Sequence, residues 1–304
     1  MIYTITLNPS IDYVMFTDGF EQGALNRAHT TYKFAGGKGI NVSRVLKTLD
    51  NDTTVHGFLG GFPGQFIKDK LQSSNILVDC VEVNSDTRIN VKLKGASETE
   101  INAPGPDINE QHIEQLMNKI EALTTDDTVI IAGSIPKSMP DDIYAQIAKR
   151  CYTKNIPFVV DAEKNLLNSV LQYKPLFVKP NIVELEEMFD TQLQTDEAII
   201  CAAKQLMHKG AQMVFVSMGG DGAMLVTHDK CFKAIVPRGQ VVNTVGAGDS
   251  TVAGMIAGLT NNLSIEDAFK QAVACGTATA FTEDLASTTV INDVLQHIKI
   301  KQIY

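Results

Sequence analysis

The stretch NTVGAGDSTVAGM, at residues 243–255, places three small residues directly before an acid and then continues in residues compatible with a helix. Gly246, Ala247 and Gly248 leave the backbone N–H groups of this turn uncovered, and such groups at a helix N-terminus suit an anion. The stretch alone leaves two interpretations of Asp249 open. Its carboxylate can cap the helix, or it can take a proton from a hydroxyl while the loop amides stabilise a transferring phosphoryl group.

From about residue 109 onward, short apolar runs alternate with amphipathic stretches of helical length. The runs VIIAG, FVVDA, LFVKP and VFVSM are almost continuously apolar, which is typical of parallel strands buried on both faces. Strands separated by helices predict βαβ crossovers. We therefore expect an α/β fold whose mostly parallel sheet is sandwiched by helices.

The N-terminal third has a different pattern. ITLNPSIDYVMF and TRINVKLKGASETEIN alternate apolar and polar residues, as strands with one solvated face do. They predict a small β-sheet lid built from segments near 10–35 and 87–103. No linker, internal repeat or low-complexity tract divides the chain, so residues 1–304 are expected to form a single α/β domain that carries this lid.

Composition limits the classes of function. The chain has 304 residues, of which 44% are hydrophobic and 20% charged, as in a soluble globular enzyme. The net charge of −9 disfavours nucleic acid and anionic membranes as partners. The five scattered cysteines include no C-x-x-C pair, so we expect reduced thiols and neither a disulfide framework nor a zinc site. With no signal peptide and no membrane-spanning run, a cytoplasmic location is expected.

The two common nucleotide signatures are absent. No G-x-x-x-x-G-K-[ST] string occurs, and Gly246-x-Gly248 is followed by Thr251 where the dinucleotide fingerprint requires glycine. The missing third glycine disfavours a nicotinamide dehydrogenase. The glycine-rich turns of this chain must therefore be interpreted individually.

A second glycine-rich turn, FAGGKGIN at residues 34–41, also precedes a predicted helix. Gly36 and Gly37 permit a ligand to approach the backbone closely. Lys38 supplies a positive charge, and Asn41 supplies both a donor and an acceptor for sugar hydroxyls. The alternative is a tight strand-to-helix turn with a solvated lysine.

Two charged residues lie on the predicted lid. Asp12, in LNPSID, either forms a turn or binds a vicinal diol through its two oxygens. Arg88, in DTRINVK, is either a surface charge or a bidentate clamp for a phosphate.

Two further motifs follow predicted strands, and in open α/β sheets ligands bind at the carboxyl ends of strands. KPNIVE, at residues 179–184, offers an amide and a carboxylate suited to a hydrated Mg²⁺ with triphosphate oxygens. SMGGDG, at residues 217–222, is a glycine-rich turn that fits beneath a nucleotide.

Together these segments resemble the ribokinase-like carbohydrate kinases, the family also called PfkB. GGKGIN at 36–41 with GFLGG at 57–61 resembles the N-terminal signature, and residues 243–255 resemble the C-terminal signature. The resemblance covers essentially the whole chain, and two distant motifs in the right order are more specific than either alone. It implies a ribokinase-like fold with a Rossmann-like sheet, a β-lid over the substrate, and phosphorylation of a sugar hydroxyl with ATP and Mg²⁺.

The resemblance also implies a function for each motif. Asp249 is similar to the catalytic base, and Gly246, Ala247 and Gly248 are similar to the anion hole. The implied sugar-binding positions are Asp12, Gly36, Gly37 and Asn41. The implied nucleotide and metal positions are Lys179, Asn181, Ser217, Gly219, Gly220 and Gly222, with Glu184 for Mg²⁺.

Within the family, LNPSID, LNR at 25–27, TRINVKLK, APGP and AGSIP resemble the branch that acts on phosphorylated ketohexoses. This implies that Arg27, Lys38, Arg88 and Ser134 hold the phosphate of the substrate. TRINVK followed by ETEIN is most similar to enzymes that convert D-fructose 1-phosphate to D-fructose 1,6-bisphosphate. Tagatose-6-phosphate kinases and 6-phosphofructokinases of this fold are alternatives, and a non-catalytic sugar-phosphate sensor is an alternative from another class. The exposed lid strands also allow a homodimer.

Overall fold

A computed structural model describes residues 1–95, 98–162 and 164–304 of the chain. Residues 96–97 of the predicted lid segment lie outside the described residues. The described strands are β1 Ile2–Thr6, β2 Ser10–Phe16, β3 Thr30–Gly36, β4 Thr53–Gly60, β5 Leu77–Val78, β6 Val81–Val83, β7 Arg88–Lys94, β8 Glu98–Ile101, β9 Thr128–Ala132, β10 Phe158–Asp161, β11 Phe177–Val178, β12 Val214–Ser217, β13 Ala223–Val226, β14 Cys231–Ile235 and β15 Lys299–Gln302.

Along the sequence, most of the described α-helices connect one strand of the large sheet to another. They are α1 Lys38–Thr48, α2 Gly61–Ser73, α3 Glu110–Glu121, α4 Ile143–Thr153, α5 Lys164–Val170, α6 Ile182–Phe189, α7 Asp196–His208, α8 Ala247–Thr260, α9 Ile265–Ala280 and α10 Thr288–His297. Among the described residues, no helix combines the length and the apolar character that a bilayer crossing requires.

The large sheet is mostly parallel, as the sequence predicts. Its strand order in the described residues is β15-β14-β13-β12-β11-β10-β9-β1-β4-β5, with β6 also beside β4. All the pairs from β12 through β5 are parallel, whereas β13, β14 and β15 add an antiparallel edge. Because parallel strands all end at the same edge, the segments that follow β1, β9, β10 and β11 converge there.

Each central strand is buried on both faces. In β9, Ile130 and Ile131 are both inaccessible to solvent but belong to different apolar clusters, one on each side of the sheet. Val159 and Val160 of β10 divide in the same way. Neighbouring residues of a strand point to opposite faces, so continuous hydrophobicity is what two covering helix layers require.

Helix α8 is buried because it packs closely on α9. A Cβ at Gly254 would lie 2.8 Å from the Cα of Ala272, and a Cβ at Gly258 would lie 2.7 Å from the Cα of Ala268. Small residues at both positions let the two backbones approach. This packing fixes the N-terminus of α8, which carries the GAGD turn, against the carboxyl edge of the sheet.

The second sheet is small and separate, in the order β3-β2-β7-β8. Strands β2 and β3 are antiparallel, β2 and β7 are parallel, and β7 and β8 are antiparallel. The small β-sheet lid that the alternating segments predict is thus present, and Asp12 of β2 is aligned with Asn90 of β7.

Candidate active site

A cavity of about 990 Å³ lies between the carboxyl edge of the large sheet, the lid and the N-terminus of α8. It is lined by all of the predicted site residues except Arg27 and Gly36. Residues from both ends of the chain therefore meet at one place. If these motifs only formed turns, nothing would require them to lie together.

Asp249 lies near the middle of this cavity wall. It is the third residue of α8, and the residue is 6% exposed. The residue that caps α8 is Gly246, so the interpretation of Asp249 as the helix cap is wrong. Instead, the Oδ2 atom of Asp249 accepts a hydrogen bond of 2.8 Å from Nδ2 of Asn41, on α1. Asn41 thereby orients the carboxylate.

The GAGD turn has the backbone that an anion site needs. Gly246 has a φ of 80°, which favours glycine, and a Cβ there would lie 2.6 Å from Cδ2 of Leu285. The N–H of Ala247 donates to the carbonyl of Thr244 at 3.3 Å. The N–H groups of Gly248 and Asp249, in the first turn, have no carbonyl partner within the helix and are the stronger candidates for binding an anion.

Two lysines and a second buried acid lie beside this turn. The Nζ of Lys179 is 3.4 Å from Oδ1 of Asp161, and the Nζ of Lys38 is 3.6 Å from Oδ2 of the same carboxylate. A Cβ at Gly248 would lie 3.1 Å from Nζ of Lys179, so this ammonium group is in contact with the turn. Lys38 is thus not a simply solvated lysine, and Asp161 is a site residue that the sequence did not single out.

These charges shift one another's pKa values. Burial and then the nearby charge of Asp161 raise the pKa of Asp249 to about 6, while Lys38, Asn41 and Lys179 act to lower it. Burial acts to raise the pKa of Asp161, but Lys179 and Lys38 together hold it below its ordinary value. The charge of Asp161 is also the main reason why the pKa of Lys38 is raised. Asp249 is therefore ionised at neutral pH but more basic than an ordinary aspartate.

On the lid, Asp12 belongs to a strand, so the interpretation of this residue as a turn former is wrong. Its Oδ1 atom accepts hydrogen bonds from Oγ of Ser10 at 2.9 Å and from Nδ2 of Asn90 at 3.2 Å. A Cβ at Gly36 would lie 2.3 Å from Oδ2 of Asp12. Gly36 therefore stands behind Asp12 and does not line the cavity, which corrects its prediction as a substrate contact.

Arg88 is built into the cavity wall and is not a surface charge. Its two terminal nitrogens donate to the carbonyls of Asn8 at 2.9 Å and Ala103 at 3.3 Å. Its Nε is buried without a hydrogen-bond partner among the described residues. Burial lowers the pKa of Arg88, although Asp12 opposes this effect. Ser134 lies nearby, since its Oγ accepts a hydrogen bond from the side chain of Asn8 at 3.4 Å.

Arg27 is the predicted substrate residue that the structure does not bring to the cavity. It lies in the loop between β2 and β3, where its side chain is exposed and outside the cavity lining. The prediction that Arg27 holds a phosphate is therefore not supported within one chain. The reason is that this loop joins β2 and β3 beyond Phe16 and Thr30, whereas Asp12 lies near the start of β2, toward the other end of the strand pair.

Asn181 and Glu184 form a capping box at the start of α6. Oδ1 of Asn181 accepts from the N–H of Glu184, and Oε2 of Glu184 accepts from the N–H of Asn181, both at 2.8 Å. The capping box does not use Oε1 of Glu184 or Nδ2 of Asn181, so these two side-chain atoms can face a ligand in the cavity. Within the described ranges, no group of three or more acidic, His or Cys side chains is arranged to hold a metal. A single carboxylate fits Mg²⁺ that is bound largely by phosphates and water.

The glycine turn after β12 forms the far end of the cavity. Ser217 ends that strand, Gly219 has a φ of 58°, and Gly222 has a φ of 91°. A Cβ at Gly222 would lie 2.0 Å from the carbonyl oxygen of Ala234, so glycine is required there. Further walls that the sequence did not indicate come from the loop after β14 and from α9, and include Val236, Gly239, Val241, Val273, Thr277 and Phe281. Because these residues form no recognisable sequence motif, only their position in the structure identifies them as part of the cavity wall.

Comparison with known proteins agrees with this geometry. Residues 4–290 match the pfkB family of carbohydrate kinases. A 1-phosphofructokinase of Bacillus subtilis (strain 168) is 44% identical over 303 residues, which cover 100% of both chains. A D-tagatose-1-phosphate kinase of Bacillus licheniformis is 34% identical over 304 residues, again with 100% of both chains covered.

Among solved structures, a candidate phosphofructokinase from Staphylococcus aureus has a TM-score of 0.91 and 58% identity to this chain. The alignment covers 100% of this chain and 99% of the other. With the family match spanning almost the whole sequence, a parallel sheet, a β-lid and a cavity that unites both signature motifs, the chain belongs to the pfkB family of carbohydrate kinases.

Proposed function

We propose that this kinase transfers the γ-phosphoryl group of ATP to the 6-hydroxyl of D-fructose 1-phosphate, which yields ADP and D-fructose 1,6-bisphosphate. The observation that carries the proposal is the position of Asp249. Its buried carboxylate lies beside uncovered backbone amides, in a cavity that Arg88 of the lid and the glycine turn after β12 also line. The 1-phosphofructokinase relative supports the choice of substrate.

The sugar phosphate binds under the lid in this proposal. Asp12, held by Ser10 and Asn90, accepts hydrogen bonds from two neighbouring hydroxyls of the sugar. Arg88 binds the 1-phosphate, since guanidinium groups pair with phosphate oxygens in a fixed fork. Ser134 adds a hydroxyl donor at the same end of the cavity.

ATP occupies the opposite end. Its nucleoside lies over the turn of Ser217, Gly219 and Gly222, and its phosphates extend toward the N-terminus of α8, where Lys179 lies. Glu184, assisted by Asn181, would hold Mg²⁺ through the carboxylate oxygen that the capping box leaves available. A bound ion would neutralise charge on the phosphate oxygens.

Asp249 acts as the general base. The 6-oxygen of the sugar attacks the γ-phosphorus, the bond from that phosphorus to the β–γ bridging oxygen breaks, and ADP leaves with the bonding electrons. The hydroxyl proton passes to Asp249. A pKa of about 6 keeps this carboxylate ionised at neutral pH and makes it a better proton acceptor than an ordinary aspartate. The amides of the turn stabilise the charge on the moving phosphoryl group.

We also propose that the lid mediates a homodimer. Phe20, Leu25 and Tyr32 of the lid and its connecting loop are large apolar side chains with 53%, 77% and 43% of their surface exposed. Exposed apolar side chains that group on a protein surface mark interaction sites, and these three lie on β3 and on the loop that leads into it. The molar mass measured by light scattering, as the protein elutes from a size-exclusion column, tests this proposal. The mass of a single chain at micromolar concentration would contradict it.

The substrate assignment is tested by kinetics on fructose 1-phosphate, fructose 6-phosphate, tagatose 1-phosphate and tagatose 6-phosphate, measured side by side. The highest kcat/KM is expected for fructose 1-phosphate. A higher value for tagatose 1-phosphate would transfer the assignment to the activity named for the Bacillus licheniformis relative. Binding of sugar phosphates with no ADP formed would indicate a sensor instead of an enzyme.

The catalytic assignment is tested with Asp249→Asn. We expect kcat to fall by at least about 10³-fold with the affinity for ATP nearly unchanged, because the amide keeps the shape but cannot take a proton. Asp229→Asn is the matched control, since Asp229 is exposed and pairs with His228 outside the cavity. Near-normal turnover by Asp249→Asn would show that another group is the base.

A further inference from the structure

Asp161 is a buried acid that the proposed reaction does not use directly. It is the last residue of β10, between β9 and β11 in the middle of the parallel sheet, and its side chain is 6% exposed. Its carboxylate lines the cavity and lies between the ammonium groups of Lys38 and Lys179. These lysines come from different parts of the fold: Lys38 lies in the first turn of α1, and Lys179 directly follows β11.

The contacts of Asp161 leave the lysines able to bind a ligand. Its two oxygens are 3.4 Å and 3.6 Å from the ammonium nitrogens, longer than the roughly 2.7–2.9 Å of a strong charge-assisted hydrogen bond. Oδ2 of Asp161 is buried without a hydrogen-bond partner among the described residues. An ammonium group has three N–H donors. Asp161 therefore holds Lys38 and Lys179 by charge while their donors remain available to phosphate oxygens.

The charge balance explains why an acid is needed between the lysines. With both aspartates ionised, Lys38, Lys179, Asp161 and Asp249 carry no net charge as a group. Without Asp161, two like charges would share a partly buried site, and each would favour turning away from the other into solvent. Lys38 is able to do so because its side chain is 42% exposed.

We infer that Asp161 is a positioning residue that holds Lys38 and Lys179 on two sides of the phosphoryl group in transfer, next to the turn that carries Asp249. This inference rests on the proposed function. Lys179 contacts Gly248 of the turn, and Lys38 lies one helical turn from Asn41, which orients Asp249. The arrangement thus places Lys179 at the anion-binding amides and Lys38 on the side of Asp249 where Asn41 lies.

The electrostatics of the cluster agree with this geometry. The main cause of the raised pKa of Lys38 is Asp161. After burial, Asp161 is also the next cause of the raised pKa of Asp249, which Lys38 and Lys179 oppose. Loss of the negative charge on Asp161 is therefore expected to lower the pKa of Asp249, because the two lysines would then act on it without opposition.

The test is Asp161→Asn, which keeps the shape and removes the charge. We expect kcat on fructose 1-phosphate to fall about 10²-fold, because misplacing groups at the reacting centre has effects of that size. The KM for ATP should not rise, since the cluster gains a positive charge. The acidic limb of kcat/KM should move to lower pH by roughly one unit. A purely structural residue would not produce this combination.

Asp161→Glu separates charge from position. The longer side chain keeps the negative charge, so the acidic limb should stay in place, but it displaces the ammonium groups, so kcat should still fall. If Asp161→Asn does not yield folded protein, Asp161→Glu carries the test alone. Asp196→Asn is the matched control, because it breaks a lysine–aspartate pair of 2.7 Å with Lys233 outside the cavity lining. It should leave kcat and the pH profile unchanged.

Each result decides the inference. Parent-like kcat in either Asp161 variant would overturn it, as would an Asp161→Asn variant whose acidic limb does not move or whose KM for ATP rises. If the unmodified enzyme turns over no sugar phosphate at all, the proposed function fails first. If it does and only the Asp161 predictions fail, the proposed function stands and this inference alone is rejected.

Discussion

Gly248→Ala should separate the stability of this protein from its activity. The substitution places a methyl group in the first turn of α8, at the wall of the cavity. That Cβ would lie 3.1 Å from Nζ and 3.7 Å from Cε of Lys179. The end of a lysine side chain can shift by a few tenths of an ångström, so we expect the fold to accept the methyl group.

The two effects have opposite signs. Alanine is favoured over glycine in helices by up to about 1 kcal/mol, partly because it restricts the unfolded chain. For a protein of this size, that gain corresponds to a rise in Tm of roughly 2 °C. The same methyl group narrows the approach of a phosphoryl group to the amides of the turn and moves the ammonium donor of Lys179 away from the turn. Loss of one such donor to a developing charge typically lowers kcat by about 10²–10³-fold.

The assay combines urea unfolding with steady-state kinetics on both substrates. Gly19→Ala is the control, since a Cβ at Gly19, in the loop between β2 and β3, meets no atom within 4 Å. A stabilised Gly248→Ala variant with parent-like kcat would refute the reasoning, because the turn would then not touch the transferring group. A loss of activity together with a loss of stability would instead indicate damage to the fold.

Four further predictions follow, of which two concern the base, one the packing of α8 and one the lid. The acidic limb of kcat/KM should lie near pH 6, where Asp249 titrates, and a limb near pH 4 would contradict this assignment. Burial and Asp161 raise the pKa of Asp249 above its value in the unfolded chain, so ionisation of Asp249 destabilises the fold. Asp249→Asn should therefore increase the free energy of unfolding, measured by urea titration at pH 8, by roughly 1–3 kcal/mol. The difference in this free energy between the variant and the parent should narrow toward pH 4. Gly258→Ala should lower that free energy by about 1–3 kcal/mol despite the higher helix propensity, because the new Cβ lies 2.7 Å from the backbone of Ala268; equal or greater stability would show that the helices can separate. Arg88→Ala should raise the KM for the sugar phosphate at least about tenfold with the KM for ATP within twofold, and equal losses for both substrates would limit Arg88 to supporting the fold.

Sequence reasoning was most successful where the cause is local. The φ of 80° at Gly246 demands glycine, and this residue lies in a motif that the sequence marks as unusual. Continuous apolar runs predicted strands covered on both faces, and β9 and β10 confirm them. Alternation predicted the lid sheet, because a strand with one solvated face must alternate.

Where the prediction failed, the cause lies in strand order and loop path. FVVDA predicts a buried strand, and nothing in it distinguishes Asp161 from any other acid that ends a strand. Arg27 stands in LNR, one of the motifs that resemble the branch acting on phosphorylated ketohexoses, yet the loop that carries it runs outside the cavity.

The sequence by itself determined the alternation of helices and strands, the lid, the glycine turns and the position of Asp249 in the first turn of a helix. These depend on backbone conformation and on the period of buried side chains, which neighbours along the chain control. Only the tertiary structure decided that Asn41 bonds to Asp249 across 208 residues of sequence and that Asp161 lies between two lysines. Charge–charge and hydrogen-bond energies depend on distance in space, and that distance is set by which strands are neighbours in the sheet.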